Sequence, residues 1–134
     1  MSNPNGWEPF AEIEGYIAHN GPYLVRTEAD GTYRYGFQTD ERHSNPNNVI
    51  HGAAVTGFAD TVLGHIIVHS LKRNCATISL TTEFISGAPL GSFIEATAQV
   101  KRATRTLAFV STDVTFEGKL LLSATGVYRL FEEK

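Results

Sequence analysis

The sequence predicts an α+β fold. Two observations carry this: one long apolar-striped helical segment near the middle of the chain, and alternating strand patterns on both sides of it. The order read along the chain is strand, strand, long helix, then four strands. At 134 residues the chain has the length of one domain, read here as residues 1–134 with a short N-terminal segment over 1–20.

The first 22 residues read as an amphipathic entry segment. Phe10, Ile13, Tyr16 and Ile17 recur at helical spacing, and Gly15, Gly21 and Pro22 punctuate it. YLVRTEADGTYRYGF then reads as a hairpin around Asp30-Gly31. In the polar loop QTDERHSNPNNV, turn-forming residues cluster and no regular element is expected before Ile50. From residue 52 to 71, Val55, Phe58, Ala59, Val62, Leu63, Ile66 and Ile67 mark the buried face of a helix. A second stripe carries Thr56, Asp60 and Gly64. Lys72, Arg73 and Asn74 follow, and the two cations suit the negative end of the helix dipole. Beyond Cys75, ATISLTTEFISG, SFIEATAQVKRA, LAFVSTDVTFEG and LLLSATGVYRLF read as four strands. Short turns between them predict an antiparallel meander.

Composition narrows the function. Hydrophobic residues make up 42% of the chain and charged residues 19%, near the globular average. Eleven Lys+Arg against 14 Asp+Glu give a net charge of −3, so no global attraction to nucleic acid or anionic membrane is expected. One cysteine excludes an intrachain disulfide framework. The N-terminus lacks a basic start and an apolar core, and the longest apolar stretch, Val62 to Val68, is too short to cross a bilayer. The expected location is therefore cytoplasmic.

Residues 45–60, NPNNVIHGAAVTGFAD, carry the most chemistry. An Asn-rich loop delivers His51-Gly52 to a helix start, where free N–H groups suit a carbonyl oxygen or an anion. Asp60 is a carboxylate in an otherwise apolar helix, which is costly unless it is paired, solvated or used. No zinc-protease HExxH is present, since residue 66 is Ile between His65 and His69. No GxSxG, GxGxxG or P-loop occurs, and Cys75 lacks a catalytic context.

The stretch HGAAVTGFAD resembles the HGG-x(6)-D motif of hotdog-fold acyl-CoA thioesterases, in the phenylacetate-pathway and thioesterase-superfamily-2-like branch. The resemblance runs from about Gly21 to the C-terminus and includes the ISGAPLG turn and the KRATRTLAFV hairpin. The offset of nine from His51 to Asp60 matches, as does Asn45 six residues before the histidine. The second motif glycine is replaced by Ala53, which could narrow the space beside the thioester carbonyl.

The resemblance implies a hotdog fold, a long central helix wrapped by an antiparallel sheet. It implies hydrolysis of a small, aromatic or medium-chain acyl-CoA. The Gly52 N–H would polarise the thioester carbonyl. Asp60 would act as general base or as nucleophile. Thr77 would hold the attacking water, with Ser79 as rival on the same strand face. Asn45 would orient water or the leaving side, and His51 would shape the loop. Active sites shared between subunits of a homodimer or homotetramer are implied, with Asp60 facing His51-Gly52 of another copy. Lys101, Arg102 and Arg105, a local basic concentration at a turn, would hold the CoA phosphates. No metal and no cofactor beyond substrate CoA is expected. The alternative is a non-catalytic acyl-CoA-binding or regulatory hotdog protein. A hotdog hydratase is a further rival, but its Asp/His or His/Glu arrangement is not located in the sequence.

Overall fold

In the computed structural model, residues 6–10 and 14–132 are described. Their elements are strand β1 (Glu8–Pro9), helix α1 (Gly15–Asn20), strands β2 (Tyr23–Thr27) and β3 (Tyr33–Gln38), and helix α2 (Gly52–Leu71). Strands β4 (Cys75–Phe84), β5 (Phe93–Ala103), β6 (Leu107–Phe116) and β7 (Lys119–Leu130) follow. The predicted α+β class and the helix bounds 52–71 both hold. One seven-stranded antiparallel sheet, in the order β1-β2-β3-β5-β6-β7-β4, curves around α2. This is the long helix and wrapped sheet of the hotdog fold.

Three details differ from the sequence reading. The last four strands do not form one meander. Only β5, β6 and β7 do so, while β4 leaves its sequence neighbour and pairs with β7 at the sheet edge. The residues between β4 and β5 are instead tied down elsewhere, with Pro89 bridging to Val49 and Ile50 N–H donating to the Ala88 carbonyl. The polar loop before α2 holds a short 3₁₀ helix, Glu41–His43, closed by a reciprocal capping box between Asp40 and His43. The entry segment is a two-residue strand followed by α1 rather than one amphipathic helix, and Ile13 lies outside the described residues.

Helix α2 buries the expected face. Phe58, Ala59, Val62, Leu63 and Ile67 are inaccessible to solvent, and Val55 and Ile66 nearly so. Phe58 and Val62 pack with Tyr23, Phe37 and Ile94, whereas Leu63 and Ile67 pack with Val110 and Tyr128. Each large apolar side chain so buried stabilises the fold by roughly 1.5–3 kcal/mol. By length and composition α2 is apolar enough to cross a bilayer, which the reading of Val62–Val68 as the longest apolar stretch understated. The apolar face is committed to the sheet, and Asp60, Gly64 and His65 interrupt the half-buried remainder.

Beyond the sheet, His65 and His69 stack at 3.9 Å, and His65 Nδ1 lies 2.9 Å from the Tyr35 hydroxyl. Burial, then the neighbouring His69, pushes the His65 pKa down to about 4. His65 is thereby held neutral, stacked on its neighbour and tied to Tyr35. Among the described residues no cluster of three or more His, Cys, Asp or Glu could hold a metal ion.

Candidate active site

Asp60 sits midway along α2, on the stripe of small residues. Its Oδ1 accepts from Thr77 Oγ1 at 2.7 Å and from the Tyr128 hydroxyl at 2.6 Å. The same hydroxyl lies 3.1 Å from the Asp60 carbonyl oxygen, so it straddles the residue. Two short hydroxyl donors on one oxygen fix the carboxylate plane, and Oδ2, which has no hydrogen-bond partner among the described residues, can take a proton or attack. Burial, and then the hydrogen bond to Asp60, raises the Tyr128 pKa far above its ordinary value. The phenol therefore stays protonated and remains a donor.

Sheet register explains why these hydroxyls converge. Thr77 pairs with Tyr128 across β4 and β7. A bulge follows, so that Ser79 pairs with Val127. Two steps on β4 against one on β7 reverse the alternation. Thr77 and Ser79 therefore face opposite sides of the sheet, contrary to the expectation that they share one. Ser79 is thereby removed as rival. Gly126 clears the way for the aromatic ring, because a Cβ there would lie 2.7 Å from Tyr128 Cε1.

Tyr128 was missed in the sequence. Two signals were present: a tyrosine in register with inward-facing Leu122, Ala124 and Leu130, whose hydroxyl must find a partner, and a glycine inside a strand.

Around Asp60 lies an open cavity of about 860 Å³, walled by Ala53, Thr56 and Gly57 of α2, Leu80 and Thr82 of β4, and Tyr16 and Ile17 of α1. Its lining is mostly apolar.

Gly52 and Asn45 are placed together elsewhere, beside a second cavity of about 390 Å³ that includes Val49, Ile50 and residues 84–88. Phe84 borders both cavities. Its ring lies against Gly52, where a Cβ would come within 2.9 Å of Cε1. His51 is the N-cap of α2. Its Nδ1 accepts from Ala53 N–H at 3.0 Å, and its carbonyl accepts from Ala54 and Val55 N–H. The Gly52 N–H has no acceptor among the described residues. Asn45 Oδ1 accepts from Asn47 and Val49 N–H, so its carbonyl side is spent on the loop and its amide NH2 remains to donate. Ala53, the departure from the motif, adopts helical geometry.

Within one chain Asp60 and Gly52 are not brought together. Eight residues of helix separate them by about 12 Å. A base and an oxyanion donor must both lie within about 3 Å of the reacting group.

The basic residues also separate. Lys101 occupies a bulge in β5 and lines a polar groove with Gln99 and Asp113 on the outer sheet face. Arg102 is exposed opposite Phe109. Arg105 instead joins Arg73 and Arg129 around a cavity of about 650 Å³ with Thr106 and Phe131. Arg73 Nε donates to the Phe131 carbonyl at 2.7 Å, and the Arg129 guanidinium stands 5.6 Å over the Phe131 ring. Residues 73, 105 and 129 are remote in sequence, so composition in a window could not group them. Cys75 is partly buried, and burial followed by the Asp60 charge raises its thiol pKa, leaving it a poor nucleophile.

Comparison with known proteins agrees with this architecture. The family model of the thioesterase superfamily matches residues 47–122. A candidate esterase of Pseudomonas aeruginosa is 26% identical over 132 residues, which cover 97% of this chain and 98% of that protein. Among solved structures, a Bacillus halodurans protein with CoA superposes with TM-score 0.81 at 18% identity, covering 92% of this chain and 83% of that one. Zebra fish thioesterase superfamily member 2 does so at 0.80 and 24% identity, covering 90% of each chain. A phenylacetic-acid-degradation-related protein of Ralstonia eutropha gives 0.77 at 20% identity, covering 87% and 90%. At these identities the structures establish a common fold.

Proposed function

Because the chain belongs to the thioesterase superfamily, we propose that it hydrolyses an acyl-CoA thioester by water attack under the control of Asp60. The observation that carries this is the Asp60 carboxylate, gripped on one oxygen by Thr77 and Tyr128 and open on the other beside a mostly apolar cavity. The acyl chain lies along that cavity. Water attacks the carbonyl carbon and gives its proton to Asp60 Oδ2. The Gly52 N–H, at the positive end of α2, stabilises the oxyanion that forms. Collapse of the intermediate breaks the carbon–sulfur bond, the CoA sulfur takes the proton back, and a carboxylic acid remains. In the nucleophilic variant, Oδ2 attacks first and water then hydrolyses the anhydride.

The 12 Å separation is the reason to place Gly52 of a second copy opposite Asp60 of the first. Strand β4 supports this assembly. It is an edge strand, and Ile78, Phe84 and Ile85 on and just beyond it are 57%, 61% and 55% exposed. Long unpaired edges with exposed apolar side chains invite pairing with another chain. The homodimer is thus the smallest working unit. Arg105, with Arg73 and Arg129, serves the CoA phosphates better than Lys101 or Arg102, because three guanidinium groups share one cavity. No cofactor is needed beyond CoA in the substrate.

The test is thiol release from an acyl-CoA panel. Asp60→Asn keeps the size of the side chain and the Thr77 contact but removes the base. The expected loss in kcat is about 10²- to 10⁴-fold, with a small change in KM. Wild-type turnover by the variant refutes the assignment, and no thiol release by the wild type from any acyl-CoA refutes the hydrolase reading. Label in the Asp60 carboxylate after a single turnover in ¹⁸O water establishes the nucleophilic route with water opening the anhydride at the Asp60 carbonyl. Trapping of the anhydride by hydroxylamine detects that route when water attacks the acyl carbonyl instead.

A further inference from the structure

Helix α1 buries none of its six residues, yet it is held firmly. Arg42 donates to the His19 carbonyl at 2.6 Å and to the Gly21 carbonyl at 2.8 Å. The Asp40 carboxylate fixes that guanidinium. His43 Nε2 lies 2.7 Å from the Asn20 carbonyl, and the His43 carbonyl accepts from His51 N–H at 2.7 Å. Polar ties thus fasten the C-terminal end of α1 to the loop that starts α2. Ile17 alone packs against the core, partly buried, so these ties do most to fix where α1 sits.

What this position delivers is Tyr16. Its side chain is 51% exposed, and its hydroxyl rests over Gly57, where any Cβ would collide with it. Gly57 stands one turn before Asp60 on the floor of the same cavity, which Tyr16 walls on one side and Leu80 and Thr82 on another. An exposed tyrosine gains little from the core, so burial does not explain the seat that Gly57 makes for it. We propose that Tyr16, seated over Gly57 by the strapped helix α1, is the wall that sets the length of acyl group the Asp60 cavity accepts. The inference rests on the acyl-CoA reading above.

The experiment uses the full chain and two parallel series, straight-chain acyl-CoAs from acetyl to dodecanoyl and thioether analogues of the same acyl groups that cannot be hydrolysed. Turnover reports kcat/KM and calorimetry reports Kd. In the wild type both fall off at one chain length. Tyr16→Ala should move that cut-off to longer chains, raising kcat/KM for the first excluded acyl group roughly 10-fold relative to the shortest good substrate, as one methylene in an apolar pocket does. Kd for the matched thioether should move in parallel. Tyr16→Trp should shorten the cut-off, and Tyr16→Phe should keep it, because the ring forms the wall. Tyr16→Ala and Tyr16→Trp profiles matching the wild type in both series overturn the inference. A shifted Tyr16→Phe profile overturns the ring as the wall. If the wild type binds the thioethers with the expected cut-off and shifts but releases no thiol, the hydrolase reading falls and the wall stands. If it neither binds nor turns over any member, both fall.

Discussion

Removing the Tyr128 hydroxyl tests whether Asp60 works through its orientation. In Tyr128→Phe the ring stays in the space that Gly126 leaves, so the core is not opened. What is lost is a charge-assisted donor 2.6 Å from Asp60 Oδ1. A hydrogen bond to a charged group contributes about 1.5–3 kcal/mol. Converted at about 1.4 kcal/mol per tenfold, the expected loss in kcat is roughly 10- to 100-fold. KM should hardly move, because the hydroxyl faces the carboxylate rather than the cavity. Thr77→Ala removes the other donor to the same oxygen and should cost a similar factor. Their effects should be non-additive, since either loss already frees the carboxylate. The assay is thiol release under saturating acyl-CoA, with a thermal melt on each variant. A kcat within twofold of wild type in a folded Tyr128→Phe protein refutes the argument. So does a loss confined to KM.

Two other predictions follow from charge. The His65 pKa is about 4 in the fold, whereas an unfolded histidine titrates near 6.5. The unfolded chain therefore takes up this proton first. The contribution of neutral His65 is fully present above about 6.5 and is lost as pH falls towards 4. The urea midpoint should decline over that window, and His65→Gln should flatten the decline; parallel curves refute the attribution. At the arginine cavity, Arg105→Ala and Arg73→Ala should raise KM for acyl-CoA but leave acyl-pantetheine thioesters, which lack the nucleotide phosphates, unaffected. High salt should erase the difference. Equal effects on both substrates would place the phosphates elsewhere.

Period and turn chemistry made the element list legible. Apolar recurrence from Val55 to Ile67 marked α2, and Asp30-Gly31 marked the β2–β3 hairpin. Gly31 there takes a φ of +88°. Strand order was less legible. The rule that strands joined by short turns are neighbours holds for β5, β6 and β7, and the eight residues between β4 and β5 were read the same way. Among those residues Ile85 and Ser86 bond to Leu121 of β7, Ala88 and Pro89 pair with the loop before α2, and Gly91 and Ser92 bond to Gln38 and Thr39, while β4 crosses to the far edge. A bridge such as Val49 to Pro89 is a tertiary choice, and no local pattern announces it.

The active-site residues divide along the same line. Asp60 was conspicuous, because a carboxylate on an apolar helix has to be accounted for. Its two donors were not equally visible. Strand alternation counted from the sequence puts Thr77 and Ser79 on one face, and only the bulge at Ile78 separates them. The bulge also explains the exposure of Ile78, the extra residue with no partner across the ladder. One inserted residue thus does two things. It leaves Thr77 inward against Tyr128, keeping the grip on Asp60, and it pushes an isoleucine out from the free edge. If that edge is where the second copy pairs, the isoleucine helps bring Gly52 of the other chain towards the carboxylate. Deleting Ile78 should therefore separate the two. In the unbroken ladder Thr77 would still pair with Tyr128 and keep its contact with Asp60, whereas the free edge would lose an apolar side chain. A weaker dimer by sedimentation with the Thr77 contact intact is the expected result, and an unchanged dimer refutes the role of the edge.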